Sequence, residues 1–408
     1  MLKAPRDADR KSSDLDWRFF VFPPLILLVV LLAALALSPS ATFGNPFTSP
    51  LFYNSSAGKS PPILDGARVA VCLVGGARRF QLTGPSIVEN ILKVYPEADL
   101  FLHSPLDSNS FKFSLLKEAP NIASVRIFRP APIPATPSQE RVLTALNSPN
   151  GIQGLLQYFN LVEGCLTMIQ GHQAQRRFTY DWIVRTRVDG FWNAPLDPEN
   201  FIHGSYVVPT GSSYGGLNDR LGIGDYNSSA VALSRLSLIP EIDAAGFRLL
   251  NSETSFRAQL TVRGIPFVTG RLPFCIVSDR SYEYPPKAFG VPVVAMSSPG
   301  PLNGAKCRPC VPVCEETCVA SVMNALNRDW SWTEWMNGTL RLCDGHSDWP
   351  EGWEVEFDRA AGEKLATARK RVSDIRYEEC VEDFADMRRR AGHWESPPVE
   401  DICRLGIH

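Results

Sequence analysis

The residues with the clearest chemical potential follow an apolar segment in the middle of the chain. The sequence Trp182-Ile-Val-Arg185-Thr-Arg187-Val-Asp189 reads as a strand that runs into polar residues, and a period of two places both arginines and the aspartate on one face. A carboxylate at the carboxyl end of a strand can hold a divalent cation, and guanidinium groups match phosphate oxygens. The pattern predicts a nucleotide-phosphate site, while a surface salt-bridge cluster fits the spacing equally well.

Two further segments offer carboxylates for proton transfer. Asp219 and Asp225 lie in a polar, glycine-rich stretch, and Glu253 follows Asn251 at a predicted helix start. Loops of this kind often carry function, and a carboxylate can deprotonate a hydroxyl group. For Glu253 the alternative is a first-turn carboxylate favoured by the helix dipole. A glycan on the sequon at Asn227 would require Asp225 to face inward while Asn227 faces out.

A glycine turn with two arginines follows the first predicted strand. In Gly75-Gly76-Ala-Arg78-Arg79, backbone N–H groups and guanidinium groups could contact a diphosphate, and a tight turn with two solvated arginines is the alternative. The glycine spacing matches neither a dinucleotide-binding fingerprint nor a phosphate-binding P-loop. This disfavours dehydrogenase and ATPase functions.

The elements that must position these side chains alternate between strand and helix. Strands are predicted at 68–74, 98–103 and 124–128, and helices at 83–95 and 154–173. This order predicts an α/β fold with a mainly parallel central sheet flanked by helices, over residues 67–285. Ligands of such sheets bind at the carboxyl ends of the strands.

Composition limits the possible partners. The chain has 408 residues, of which 44% are apolar, and its 41 Lys and Arg nearly balance 43 Asp and Glu to give a net charge of -2. No global basic field exists to attract nucleic acid. A nucleic-acid function is therefore not expected.

The N-terminus predicts a membrane anchor. Residues 19–38 are uncharged and mostly apolar, close to the roughly 20 residues that span a bilayer. Five basic residues precede this segment and no charged residue follows it until Lys59, so 1–18 are predicted to be a cytosolic tail and 39–66 a lumenal stem in type II topology. A cleavable signal peptide is the alternative. Glycosylation sequons at Asn54, Asn227 and Asn337 all fall on the predicted lumenal side.

The region 286–408 is rich in cysteine and tryptophan and is predicted to be a C-terminal extension. The spacing of Cys307, Cys310, Cys314 and Cys318 would suit zinc, but disulfides are expected in a lumenal compartment. Cys72 and Cys165 are interpreted as buried apolar residues that could also pair with each other. The tryptophans suit an acceptor-binding surface or the packing of a small module. Residues 356–390 are predicted to be helical.

Taken together, these motifs resemble a plant family of single-pass type II membrane proteins with a glycosyltransferase-A-like (WavE-like) lumenal domain. The resemblance rests on the anchor, the GGARR turn, the Arg-Thr-Arg-x-Asp strand end, the Asn-Asp-Arg loop and the Ser-Glu-Thr helix start. It covers about half of the chain, from Arg68 to Arg280. It implies transfer of a sugar from a nucleotide-sugar donor to a glycan or glycoconjugate acceptor in the Golgi, with other Golgi transferases as further partners.

The resemblance also implies roles for the site residues. Asp189 stands where a metal-binding Asp-x-Asp motif would hold Mn²⁺ or Mg²⁺, but Arg187 replaces the first carboxylate, and this arginine could supply the positive charge instead. Glu253, then Asp225, would be the catalytic base. The donor and its phosphates would contact Arg78, Arg79, Arg185, Arg187 and Asp219. The alternative functions are a non-catalytic lumenal protein that binds glycan or partner transferases, and a zinc-binding interaction module.

Overall fold

The computed structural model describes residues 64, 66–146, 148, 150–281, 293–325 and 340–407. Its strands, numbered in chain order, are β1 (Val69–Val74), β2 (Asp99–Pro105), β3 (Asn121–Phe128), β4 (Trp182–Arg187), β5 (Gly190–Trp192), β6 (Tyr206–Pro209), β7 (Leu221–Asp225), β8 (Phe267–Gly270), β9 (Phe274–Val277), β10 (Val293–Ala295), β11 (Lys306–Arg308), β12 (Leu342–Cys343) and β13 (His393–Glu395).

The α-helices are α1 (Phe80–Ile87), α2 (Pro137–Val142), α3 (Gly151–Arg176), α4 (Tyr226–Leu233), α5 (Ile239–Ala244), α6 (Ser252–Val262), α7 (Thr317–Ala325), α8 (Trp353–Ala361), α9 (Glu363–Ser373), α10 (Tyr377–Arg390) and α11 (Val399–Gly406). A π-helical turn, Val88–Leu92, continues α1, and 3-10 turns lie at Ser110–Glu118 and Pro198–Asn200.

The main sheet has eight strands in the order β13-β3-β2-β1-β4-β7-β6-β8. The five strands from β13 to β4 are parallel, and β6 pairs with β8 in parallel. Only β7 among these strands runs antiparallel to its neighbours β4 and β6. The predicted α/β fold with a mainly parallel sheet is confirmed.

A long helix covers one face of the main sheet. Within the predicted helix 154–173, Leu155, Phe159, Val162 and Leu166 recur at helical spacing and are buried in α3, which packs against β1 and β2. A disulfide between Cys72 of β1 and Cys165 of α3 joins the two layers. The two cysteines are thus both buried and paired, which is the second of the two interpretations left open by the sequence.

A second sheet of five strands, in the order β12-β10-β11-β9-β5, lies beyond the end of β4. The chain leaves the main sheet at Arg187, turns through Val188 and Asp189, and enters β5 of the second sheet. The two sheets therefore diverge at the polar residues that end β4. Three strands of the second sheet come from the cysteine-rich region.

Residues beyond 285 contribute strands and helices to the fold, with strands in both sheets. At the far end of the chain, β13 pairs with β3 of the main sheet, and α9 packs against α1. The segment 356–390 is helical as predicted and lies in three helices, α8 to α10. Gly362, with a φ of 82° that favours glycine, separates α8 from α9. The C-terminal region thus completes both sheets.

All ten cysteines are paired. The disulfides other than Cys72–Cys165 are Cys275–Cys307, Cys310–Cys343, Cys314–Cys318 and Cys380–Cys403. The four cysteines with zinc-like spacing belong to three different disulfides, so the zinc module is wrong. Among the described residues, no group of three or more His, Cys, Asp or Glu side chains is arranged to hold a metal ion.

Several predictions lie outside the described residues: the cytosolic tail, the anchor over 19–38, nearly all of the stem, and the sequons at Asn54 and Asn337. Within the described part of the chain, no helix has the length and apolar character needed to cross a membrane.

Candidate functional site

A large cleft opens at the carboxyl ends of β1, β2 and β4, where the main sheet and the second sheet diverge. Its volume is about 1280 Å³. The basic residues that line it are Arg78, Arg79, Arg187, Arg220, Arg280 and Lys306, and the acidic residues are Asp107, Asp189, Asp219, Glu253 and Asp279. This is the edge at which open α/β sheets bind their ligands.

Arg187 and Asp189 form a bidentate ion pair at the floor of the cleft. Nε of Arg187 donates to Oδ1 of Asp189 at 2.8 Å, and Nη2 donates to Oδ2 at 2.5 Å. Burial raises the pKa of Asp189, but the positive charge of Arg187 outweighs burial and holds that pKa below its ordinary value. The carboxylate is therefore ionised and already neutralised by its partner.

These residues do not fit a divalent cation. Both oxygens of Asp189 accept from Arg187, and the other charges that act on Asp189 are the cations Lys306 and Arg220. Mg²⁺ and Mn²⁺ sites are built from carboxylate and other oxygen ligands, and neighbouring cations oppose their binding. The predicted metal-binding role of Asp189 has no supporting ligand set among the described residues.

Three cations that line the cleft, Arg220, Arg280 and Lys306, were not identified from the sequence as site residues. Arg220 is 5% exposed and its Nη1 donates to Ser212 Oγ at 2.7 Å and to the carbonyl of Gly304 at 2.5 Å. Lys306 begins β11, and burial together with the charges of Arg220 and Arg187 places its pKa well below the ordinary value. Arg220 lies in the recognised Asn-Asp-Arg loop, whereas Lys306 had no signal except its place beside Cys307.

Asp219 and Glu253 form a carboxyl pair on another wall of the cleft. Asp219 accepts a hydrogen bond from Ser252 Oγ and lies 3.7 Å from Nη2 of the buried Arg235. Burial opposes its ionisation, but Arg235 and Arg185 hold the pKa of Asp219 below its ordinary value. Burial and the negative charge of Asp219 raise the pKa of Glu253 to about 8. Glu253 is thus a stronger base than an ordinary carboxylate.

The glycine-rich loop holds Glu253 in place through its backbone. Leu217 N donates to the carbonyl of Glu253 at 3.1 Å. A Cβ on the neighbouring Gly216 would come within 2.0 Å of that carbonyl oxygen, so only glycine permits this approach. The predicted capped helix start is also present, because the Asn251 side chain accepts from Thr254 N at 2.8 Å at the beginning of α6.

The three remaining predicted arginines have different positions. Arg185 is 1% exposed and does not line the cleft, but its Nη1 donates to Oη of the cleft residue Tyr158 at 3.3 Å. Arg79 pairs with Asp279 at 2.5 Å and stacks on the Trp349 ring at 4.0 Å. Arg78 is exposed at the cleft rim. Arg185 is therefore a buried supporting residue, and Arg79 already has partners.

Asp225 does not belong to this site. It lies opposite Trp182 at the amino end of β4, because β7 runs antiparallel to β4. Its carboxylate caps α4 by accepting from Ser228 N at 2.9 Å, and it also accepts from Gly204 N at 2.6 Å. The prediction that Asp225 shares an edge with Asp189 is corrected. The exposed Asn227 is also at the amino edge, so a glycan there would not obstruct the cleft.

A family model described as "Domain of unknown function (DUF7796)" matches residues 64–408. No curated protein matches the sequence. Among solved structures, the chain is similar to the apo form of mouse Xyloside xylosyltransferase 1, with a TM-score of 0.31 and 12% sequence identity. The alignment covers 50% of this chain and 84% of that chain. The chemistry assigned to the cleft rests on the cleft residues themselves.

Proposed function

This chain belongs to the family of the DUF7796 domain, and we propose that it is a glycosyltransferase that moves a sugar from a nucleotide-sugar donor to a hydroxyl group of a glycan or glycoconjugate. One observation carries the proposal. A single cleft at the carboxyl edge of the sheet holds a group of cations on one wall and a carboxyl pair, Asp219 and Glu253, on another. Sugar transfer needs these two functions, since a diphosphate leaves and a hydroxyl group loses its proton.

The donor side uses positive charge. A nucleotide-sugar carries a diphosphate, and more negative charge develops on it as the bond to the sugar breaks. Guanidinium groups in a site of low dielectric stabilise such charge strongly. Arg187 is fixed by Asp189 at the cleft floor, and Arg78 at the rim extends the positive surface. The cleft volume of about 1280 Å³ exceeds the roughly 300–1,000 Å³ of typical small-molecule sites, in keeping with a donor and part of an acceptor.

The acceptor side uses Glu253. In its ionised form the carboxylate takes the proton of the acceptor hydroxyl, whose oxygen then bonds to the anomeric carbon of the sugar as the diphosphate leaves. A base works best when its pKa is near the working pH. Glu253 meets this condition because burial and Asp219 raise its pKa to about 8. Asp219 tunes this base and is itself held by Arg235.

We also propose the Golgi lumen as the compartment, with type II topology and the anchor at 19–38. The pairing of all ten cysteines supports an oxidising compartment. Glycosylation at the exposed Asn227 would report lumenal exposure. Removal of N-glycans from the full-length protein should increase its gel mobility. The increase should be smaller in Asn227→Gln, which lacks one glycosylation site.

A non-catalytic role is the second candidate, as a lumenal protein that binds glycan or partner transferases. The observation in its favour is the ion pair at Asp189, which occupies the carboxylate that a metal-dependent transferase would use. A protein of this kind would bind donors or glycans in the cleft without breaking the bond to the sugar.

A nucleotide-sugar panel separates the two candidates. Ligands that bind the native state raise the unfolding temperature, so each donor is first tested by thermal shift on the full-length protein with and without Mn²⁺. Any donor that binds is then incubated with glycan acceptors and assayed for release of the nucleoside diphosphate. Release that depends on Glu253 supports the transferase. Binding without release, or no binding to a folded protein, supports the non-catalytic role.

A further inference from the structure

Three cations inside the cleft, besides Arg78 at its rim, have no carboxylate partner among the described residues. Arg220, Arg280 and Lys306 line the cavity, and none of them forms an ion pair with any residue in the described part of the chain. The nearby Asp189 is already neutralised by two contacts from Arg187. The floor of the cleft therefore carries an excess of positive charge.

The backbone fixes this excess of charge in place. Asp189 O accepts from Val277 N of β9 at 2.9 Å, and β9 pairs with β11 so that Ile276 lies opposite Lys306. The next pair along these strands includes Cys307, which is joined to Cys275 of β9 by a disulfide. Lys306 is thus carried to the end of β4 by the second sheet and not by a mobile surface loop.

Like charges held close together in a partly buried site repel one another, and such a site is stabilised when an anion binds. A cation site would need the opposite sign of charge, and the Asp189 carboxylate is committed to Arg187. The ligand that matches the site is a compact polyanion with several oxygens. The diphosphate of a nucleotide-sugar has this chemistry.

We propose that Lys306 and Arg220, beside Arg187, bind the donor diphosphate directly and take the place of a divalent cation. The inference rests on the proposed function and names how its leaving group is held. The negative charge of the bound diphosphate favours the protonated form of Lys306. When the bond between the anomeric carbon and the phosphate oxygen breaks, the electron pair remains on that oxygen, and the ammonium of Lys306 stabilises its charge. The proton of the acceptor goes to Glu253. Because the three cations neutralise the leaving diphosphate, the proposed step requires no metal ion.

The probe that tests the inference is inorganic pyrophosphate, titrated calorimetrically into the full-length protein in EDTA and again with Mn²⁺. We expect binding in EDTA that Mn²⁺ does not strengthen. Lys306→Met should weaken binding about 10- to 100-fold, as expected for loss of a charged contact, and Lys306→Arg should retain most of the affinity. Lys93→Met, at a surface lysine paired with Glu89, is the matched control and should bind like the wild type.

Binding that appears only with Mn²⁺ would overturn the inference, and this arm needs no variant. Unchanged affinity in a folded Lys306→Met protein would overturn it as well. The proposed function fails separately: pyrophosphate binding with the expected pattern but no sugar transfer from any donor would remove the transferase and keep the anion site. Sugar transfer by Lys306→Met at the wild-type rate would keep the transferase and remove the role of Lys306.

Discussion

Asp225 at the amino edge of the main sheet and Glu253 at the carboxyl edge have opposite environments. At the amino edge, Asp225 accepts hydrogen bonds from two backbone N–H groups and Tyr180 donates to Asp99 at 2.6 Å. At the carboxyl edge, Glu253 lies beside the negative Asp219. Hydrogen bonds to a carboxylate stabilise its charge and the fold. Two like charges held close together lower stability, and proteins keep such pairs mainly at functional sites.

Glu253 and Asp225 make the contrast sharp because both stand at the start of a helix. Asp225 is the N-cap of α4, and although burial opposes this, its hydrogen bonds with Ser228 and Gly204 lower its pKa. Glu253 lies in the first turn of α6, where the helix dipole should also favour ionisation, yet its pKa is raised. Burial and Asp219 outweigh the dipole. Position on a helix does not reveal the role of a carboxylate, but its neighbours do.

The largest effect is expected from Glu253→Gln. This change removes the base while keeping the shape of the side chain, so sugar transfer should fall by about 10²- to 10⁴-fold. Release of the nucleoside diphosphate is the measurement. Glu199→Gln, at an exposed position outside the cleft, is the matched control and should keep wild-type activity. Full activity in Glu253→Gln would show that Glu253 is not the catalytic base and that its raised pKa has no role in transfer.

Arg235→Met tests the support beneath the carboxyl pair. Arg235 is fully buried, lies 3.7 Å from Asp219, and has its guanidinium 4.5 Å from the centre of the Phe159 ring. Its removal leaves the buried charge of Asp219 without its ion-pair partner, which should lower the free energy of unfolding by about 3–5 kcal/mol. Denaturant unfolding measures this change. A loss no larger than that of a surface substitution would mean that Asp219 does not depend on Arg235.

The pH dependence of transfer follows from the raised pKa of Glu253. Only its carboxylate form accepts a proton, so kcat/KM should rise about tenfold per pH unit below pH 8 and level off above it. A rate that is already constant between pH 6 and about pH 8 would contradict Glu253 as the base.

Stability should respond to pH in the opposite sense. The folded protein keeps the Glu253 proton up to about pH 8, whereas the unfolded chain releases it near 4.5. The contribution of Glu253 to stability is therefore complete below pH 4.5 and is lost as the pH rises through about 8. The fall in unfolding free energy over this range should be smaller in Glu253→Gln, and chemical unfolding at several pH values measures it. An identical pH dependence in the two proteins would contradict the raised pKa.

The smallest effect is expected from Asp225→Asn at the other edge. Asparagine caps helices nearly as well as aspartate, so this change should cost less than Asp225→Ala, which should lower the free energy of unfolding by about 1 kcal/mol. Sugar transfer by the folded variants should be unchanged. Loss of transfer in Asp225→Asn without loss of stability would restore Asp225 as a catalytic candidate and remove the contrast.

Local patterns predicted much of the fold. The strand-helix alternation, the buried stripe of α3 and the cap at Asn251 are set by residues within a few turns of one another. Arg187 and Asp189 could be placed together because they are two residues apart at a strand end. Arg185 lies on the same face of β4 but is buried beneath the site. The burial of a strand residue depends on the segments that pack over it, which the spacing does not show.

The sequence by itself determined the elements, their α/β order and the chemistry available at the end of β4. Only the tertiary structure decided which edge each carboxylate occupies, because nothing local states that β7 runs antiparallel to β4 and carries Asp219 and Asp225 to opposite ends. It also decided the disulfide pairing and brought Lys306 to the cleft through β11. These features depend on contacts between distant segments, and spacing along one chain does not encode them.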